Sequence, residues 1–129
     1  MKQLDQSLPL SGPIAENVTS AQLVLKRSFT DIPSLFSGKE LYVYSYEEKS
    51  DKSLEIRLND ATLSCMFDQA NTCESSLLFL DDSNRIDPYI NFCNQMYHYD
   101  RSLKRWKAKD HIVQIKKDED DYVIVFRIS

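Results

Sequence analysis

The chain has 129 residues, enough for one domain with a real core, and an ordinary composition of 42% hydrophobic and 28% charged residues. Its net charge of −4 runs against general nucleic-acid binding, which depends on neutralising phosphates. Gly12 and Gly38 are the only glycines, which excludes glycine-rich phosphate loops and dinucleotide fingerprints, and no apolar run approaches the ~20 residues of a membrane span.

Residues 1–20 carry Pro9, Gly12 and Pro13 among polar side chains and lack the apolar centre of a signal peptide. They are expected to form a flexible N-terminal arm ahead of a single β-rich domain over residues 21–129. That start points to a cytoplasmic protein; the alternative is an exported or periplasmic domain whose signal or anchor has been removed. Cys65, Cys73 and Cys93 leave at least one thiol unpaired, which suits a reducing compartment, and a Cys73–Cys93 disulfide belongs only to the exported alternative. The acceptor pattern Asn17-Val18-Thr19 matters only there too.

Gln22 to Arg27 alternates loosely around Leu23, Val24 and Leu25 and reads as a first strand. Ile32 to Gly38 reads as a turn or a single helical turn closed by the glycine. Leu54, Ile56 and Leu58 then alternate with Glu55 and Arg57, the pattern of a half-buried strand. A two-residue turn at Asn59-Asp60 sets Leu58 against Ala61, Ile56 against Leu63 and Leu54 against Cys65. A four-residue loop at Glu48 to Asp51 sets Leu41 against Leu58 and Val43 against Ile56, with Tyr42, Tyr44 and Tyr46 on the other face. Ser76 to Leu80 reads as a buried strand. Ile86, Tyr89, Ile90, Cys93, Met96 and Tyr97 recur at helical spacing, and Asp87-Pro88 is a favoured helix start, which predicts a short helix from Pro88 to about Gln95.

From Tyr97 to Ile128 the chain reads as four antiparallel strands, with turns at Arg101-Ser102, Lys109-Asp110 and Asp118 to Asp121. Those loop lengths align Tyr97, Trp106, Val113 and Phe126 in one lateral row, and Ile115 beside Ile124 in the next. The reverse face interleaves His98, Arg105, Lys107, Gln114, Lys116 and Arg127 with Ile112, Val123 and Val125. The fold expected from these elements is mainly β with one short helix (α+β). Its antiparallel up-and-down meanders would form a β-barrel or a strongly curved sheet.

No catalytic residue, metal set or cofactor motif stands out. The cysteines lack C-x-x-C spacing, His98 and His111 join no ligand pattern, and Asp118 to Asp121 lacks the calcium-loop glycine and terminal glutamate. Three functional classes follow. The first is a non-enzymatic module of immunity, inhibitor or adaptor type. It would dock a partner protein with an acidic surface through Arg105, Lys107, Lys116, Arg127, Gln114 and His98, with no nucleic acid and no membrane span involved. The second is a barrel that carries or senses a small apolar ligand between Tyr97, Trp106, Val113, Ile115, Ile124 and Phe126. The third is a small hydrolase or isomerase, which needs His98 or His111 beside a carboxylate or thiol in a cleft.

Overall fold

In the computed structural model residues 12–46 and 51–129 are described, with the backbone alone for Ser45, Tyr46, Asp51 and Asp118. Helix α1 (Pro13–Leu23) and the single turn α2 (Ile32–Leu35) precede strands β1 (Leu41–Tyr46), β2 (Asp51–Leu58), β3 (Ala61–Phe67) and β4 (Cys73–Leu80). A 3-10 turn at Ser83–Arg85 leads into α3 (Ile86–Met96), followed by β5 (His98–Asp100), β6 (Arg105–Lys107), β7 (His111–Asp118) and β8 (Asp121–Ile128). All strands join one antiparallel sheet in the order β1-β2-β3-β4-β8-β7-β6-β5. The sheet is open, with β1 and β5 at its edges, so the expected barrel does not form. Each half of the chain is a helix followed by a four-strand meander, and the last strand of each half, β4 or β8, meets the other at the centre.

One lateral row crosses the whole sheet: Val43, Leu54, Cys65, Ser76, Phe126, Val113, Trp106 and Tyr99. A second runs Leu41, Ile56, Leu63, Leu78, Ile124 and Ile115. Both rows face the helices. Ser76 Oγ donates 2.7 Å to the Ala21 carbonyl of α1, and Trp106 Nε1 donates 2.9 Å to Asn94 Oδ1 of α3. Leu54, Ile56, Leu63, Leu78, Val113, Ile124 and Phe126 are fully buried between sheet and helices.

Helix α1 corrects the expected arm and first strand. Residues 1–11 lie outside the described residues, but from Pro13 the chain is helical through Leu23. Proline at the first position, its missing N–H costing nothing there, starts the helix, and Glu16 sits favourably in its first turn. Its buried side chains are Ala15, Asn17, Val18 and Ala21, small enough to bring the backbone close to β4 and α3. Asn17 Nδ2 donates to the Asn59 carbonyl (2.8 Å) and to Tyr89 Oη (2.9 Å), tying α1 to the β2–β3 turn and to α3. The same nitrogen would carry a glycan, so the folded domain offers no acceptor at Asn17. After the helix, Lys26 adopts a left-handed φ of 72°, and its N–H bonds the Cys73 carbonyl at 2.8 Å. Strand-like pairing in this region is confined to one bridge, Ser28 with Thr72.

The expected registers hold for β2–β3, β6–β7 and β7–β8. The last hairpin closes through Glu119-Asp120, with Glu119 at φ 57°. Two registers differ by two residues. Leu41 faces Ile56 rather than Leu58, and Trp106 faces Tyr99 rather than Tyr97. In the second case the turn spans residues 101–104: Asp100 Oδ1 accepts from Ser102 N (2.9 Å) and Leu103 N (3.2 Å), and Lys104 takes φ 53°. Most of the β1–β2 loop falls outside the described residues. A two-residue slip preserves faces because side chains alternate with period 2. Helix α3 runs from Ile86 to Met96, longer than expected, with Phe92 buried and Met96 exposed.

Candidate protein-docking face

Both helices cover one side of the sheet, so the other side carries no layer among the described residues. Alternation alone decides what stands there. One row runs Tyr44, Ser53, Met66, Ser75, Arg127, Ile112, Lys107 and His98 across the eight strands. Beside it lie Tyr42, Glu55, Ser64, Leu77, Val125 and Gln114, and beyond them Arg57, Thr62, Phe79, Val123 and Lys116. Tyr42 is 53% exposed and Phe79 43%, and Tyr44 and Met66 are exposed as well.

The face is polarised. Its β1–β4 half holds the tyrosines, Met66 and Phe79. Its β6–β8 half holds Arg105, Lys107, Lys116 and Arg127, and the half-buried Leu77, Val123 and Val125 form a seam between them. Ile112 is 4% exposed yet stands apart from the main core, with Arg127 and Lys107 as its lateral neighbours. Arg105, Lys107 and Arg127 make no ion pair among the described residues, whereas Arg57 is held in a two-pronged pair with Asp81. All six expected docking residues, Arg105, Lys107, Lys116, Arg127, Gln114 and His98, therefore sit on this one face, with His98 beside Lys107 instead of Arg105.

The Arg57 hydrogen bonds hold the Asp81 carboxyl below the usual carboxylate range. A folded-state value below the unfolded one adds stability that is intact above about pH 4 and disappears as pH falls through the folded value. Asp81→Asn is expected to flatten the acid limb of a pH–stability curve between about pH 2 and 4. The effect at neutral pH is small, since both partners are substantially exposed.

The residues expected to line a ligand cavity instead fill the core. Val113, Ile124 and Phe126 are fully buried, Trp106 nearly so, and Tyr97 and Ile115 pack against them half-buried. An open cleft of about 570 Å³ does border this region, lined by Ile90, Asn94, Tyr99, Lys104, Trp106 and Ile115 with Arg101. It shares only Trp106 and Ile115 with the expected set.

His111 and Cys93 both hold structural positions. His111 is almost buried; its Nδ1 lies 3.1 Å from Asp110 Oδ1 and its Nε2 lies 3.1 Å from Gln22 Nε2, fastening the β6–β7 turn to α1. Cys93 is buried, and burial pushes its thiol up to about 12, far from a reactive thiolate. All three cysteines are free thiols. Cys73 Sγ donates to the Ser75 carbonyl at 3.3 Å, and the neighbouring Cys73 thiol together with burial holds the Cys65 proton well above the usual thiol range.

Among the described residues no cluster of His, Cys, Asp or Glu could hold a metal ion, and no helix is long and apolar enough to cross a membrane. The aromatic half of the face was legible only as a tyrosine ladder. Met66 stands between Cys65 and Phe67, and Phe79 between Leu78 and Leu80, in apolar runs that read as buried, so only strand parity puts them outside. No protein-family model, curated protein or solved structure matches the chain.

Proposed function

We propose that this protein is a non-enzymatic binding module that docks an acidic partner protein on the uncovered face of its sheet. The observation that carries this reading is the asymmetry of the sheet: one face is sealed by α1 and α3, and the other combines exposed Tyr42, Tyr44, Met66 and Phe79 with Arg105, Lys107, Lys116 and Arg127. Large apolar and aromatic side chains exposed among polar ones on a single sheet face suit an interaction surface. Tyrosine, methionine and arginine are the residues enriched where proteins meet. The basic half stands out on a chain whose net charge is −4, so it favours encounter with acidic groups.

The test is capture of the acidic partner from cells that produce this protein, comparing wild type with Arg105→Glu/Lys107→Glu and with Arg27→Glu on an exposed segment after α1. The double variant is expected to bind roughly tenfold more weakly or worse, while its melting temperature stays near wild type and Arg27→Glu binds normally. Wild-type capture is expected to fall as salt rises, because screening shortens the reach of surface charge. Equal capture by both variants would falsify the assignment of this face.

A further inference from the structure

The two edges of the sheet are built differently. Strand β5 is three residues long and runs into Arg101 and Lys104, so it is short and charged, as protected edges are. Strand β1 reads Leu41-Tyr42-Val43-Tyr44-Ser45-Tyr46, with no charge, proline or glycine in it. Val43 belongs to the row that faces the helices, yet it is 57% exposed, because that row reaches the edge with nothing beyond it.

The backbone of β1 has one set of free groups. Arg57 N donates to the Glu40 carbonyl at 2.9 Å, in register with the β1–β2 pairs. In an antiparallel ladder alternate residues turn their N–H and C=O to the same neighbour. Glu40, Tyr42 and Tyr44 therefore face β2, and Leu41, Val43 and Ser45 direct both backbone groups away from the sheet.

We infer that β1 pairs antiparallel with β1 of a second copy of this chain, Val43 opposite Val43 on a two-fold axis, to form one continuous sheet across a dimer. That register sets Leu41 of each copy against Ser45 of the other, so every outward-facing group of both strands gains a partner. It buries Val43 against its own counterpart and brings Tyr42 of one copy beside Tyr44 of the other on the uncovered face, a favourable aromatic cross-strand pair. The strand is uncharged, so bringing two copies together incurs no like-charge repulsion at the contact. An isologous contact of this kind closes at two copies, and the guarded β5 edge gives the dimer no route to longer assembly. The pairing also doubles the docking face, placing the two aromatic halves side by side.

Sedimentation velocity and light scattering of the full chain across about 10–200 μM test this. Wild type is expected to reach twice the 15.0 kDa chain mass within that range. Val43→Lys places like charges on the axis, and Val43→Pro removes an N–H that the monomer does not use, so both are expected to weaken association at least tenfold and leave β2 pairing intact. Hydrogen exchange supplies an independent readout. The Leu41 and Val43 amides should be protected in concentrated wild type and lose protection on dilution. A chain that stays at monomer mass, a dimer that persists in both variants, or a wild-type dimer with unprotected Leu41 and Val43 amides overturns the inference. Should either variant unfold, the wild-type exchange experiment decides alone.

Discussion

Phe126→Ala is expected to lower the stability of the domain by about 3–5 kcal/mol. Phe126 is fully buried and among the largest such side chains. It lies on β8 with Ser76 on one side and Val113 on the other, at the seam where the two meanders join. Ser76 and Val113 are small, so neither can fill the void left by the ring, and the cost of the cavity adds to the lost transfer energy. The position matters for cooperativity as well, because β8 is the strand through which α3 and its meander are attached to β4. For a chain of this length the loss corresponds to a drop in melting temperature of roughly 10–20 °C. Phe126→Leu keeps most of the volume and should cost about 1.5 kcal/mol or less. Tyr44→Ala, on the uncovered face, should stay within about 0.5 kcal/mol. Denaturant titration of the three variants separates these expectations; a Phe126→Ala loss near that of Tyr44→Ala would mean the ring is not where the core is.

The strands were legible in the sequence because burial on one face writes a two-residue period into it. Leu54, Ile56 and Leu58 state that period plainly, and the turn at Asn59-Asp60, where Asp60 takes a positive φ of 56°, fixes their partners. The period is robust to loop length in one respect: where the turn after Asp100 proved longer, Tyr99 replaced Tyr97 opposite Trp106 and no residue changed face. Hence the cationic side chains were assigned to one surface although two registers were off. Helix α1 was illegible for the opposite reason. Its inward stripe is Ala15, Val18 and Ala21 around a buried asparagine, so it carries little apolar contrast against Glu16, Thr19 and Gln22. Large apolar residues announce a helix face; small ones allow close packing without announcing it.

Sheet closure was also beyond the sequence. Alternation says which way a side chain points but not whether the outermost strands meet. Here β4 and β8, the last strands of the two halves, pair with each other, which turns β1 and β5 outward as edges. The same topology puts both helices on one side, since each precedes the first strand of its meander and the two halves meet through their last strands. The uncovered face and the unpaired β1 edge are thus two consequences of one pairing.

Asn17→Asp is expected to be the most pH-sensitive substitution in the chain. Asn17 is 1% exposed, and among the described residues no buried polar side-chain atom is left without a partner. Its Nδ2 serves two acceptors, the Asn59 carbonyl and Tyr89 Oη. Asn17→Leu deletes that donor and should cost about 1–3 kcal/mol, the desolvation penalty of the acceptors left behind. A carboxyl group at the same place does worse at neutral pH. Tyr89 can still donate to it, but the Asn59 carbonyl now faces an oxygen, and burial penalises the ionised form. The folded-state pKa of the introduced carboxyl therefore rises above its unfolded value near 3.9. A raised carboxyl pKa means that the folded state holds the proton more tightly, so stability falls as pH climbs from about 4 to the folded value and levels off above it. The expected loss at pH 7 is roughly 3–5 kcal/mol, comparable with other uncompensated buried charges. Wild type runs the other way below about pH 4, where protonation of Asp81 and of Asp110, depressed by the His111 hydrogen bond and by Lys26, removes stability. The gap between wild type and Asn17→Asp should consequently narrow on acidification from pH 7 to 4, whereas the gap between wild type and Asn17→Leu should stay constant over that range. A constant gap for both variants would place residue 17 in contact with water, and α1 off the sheet.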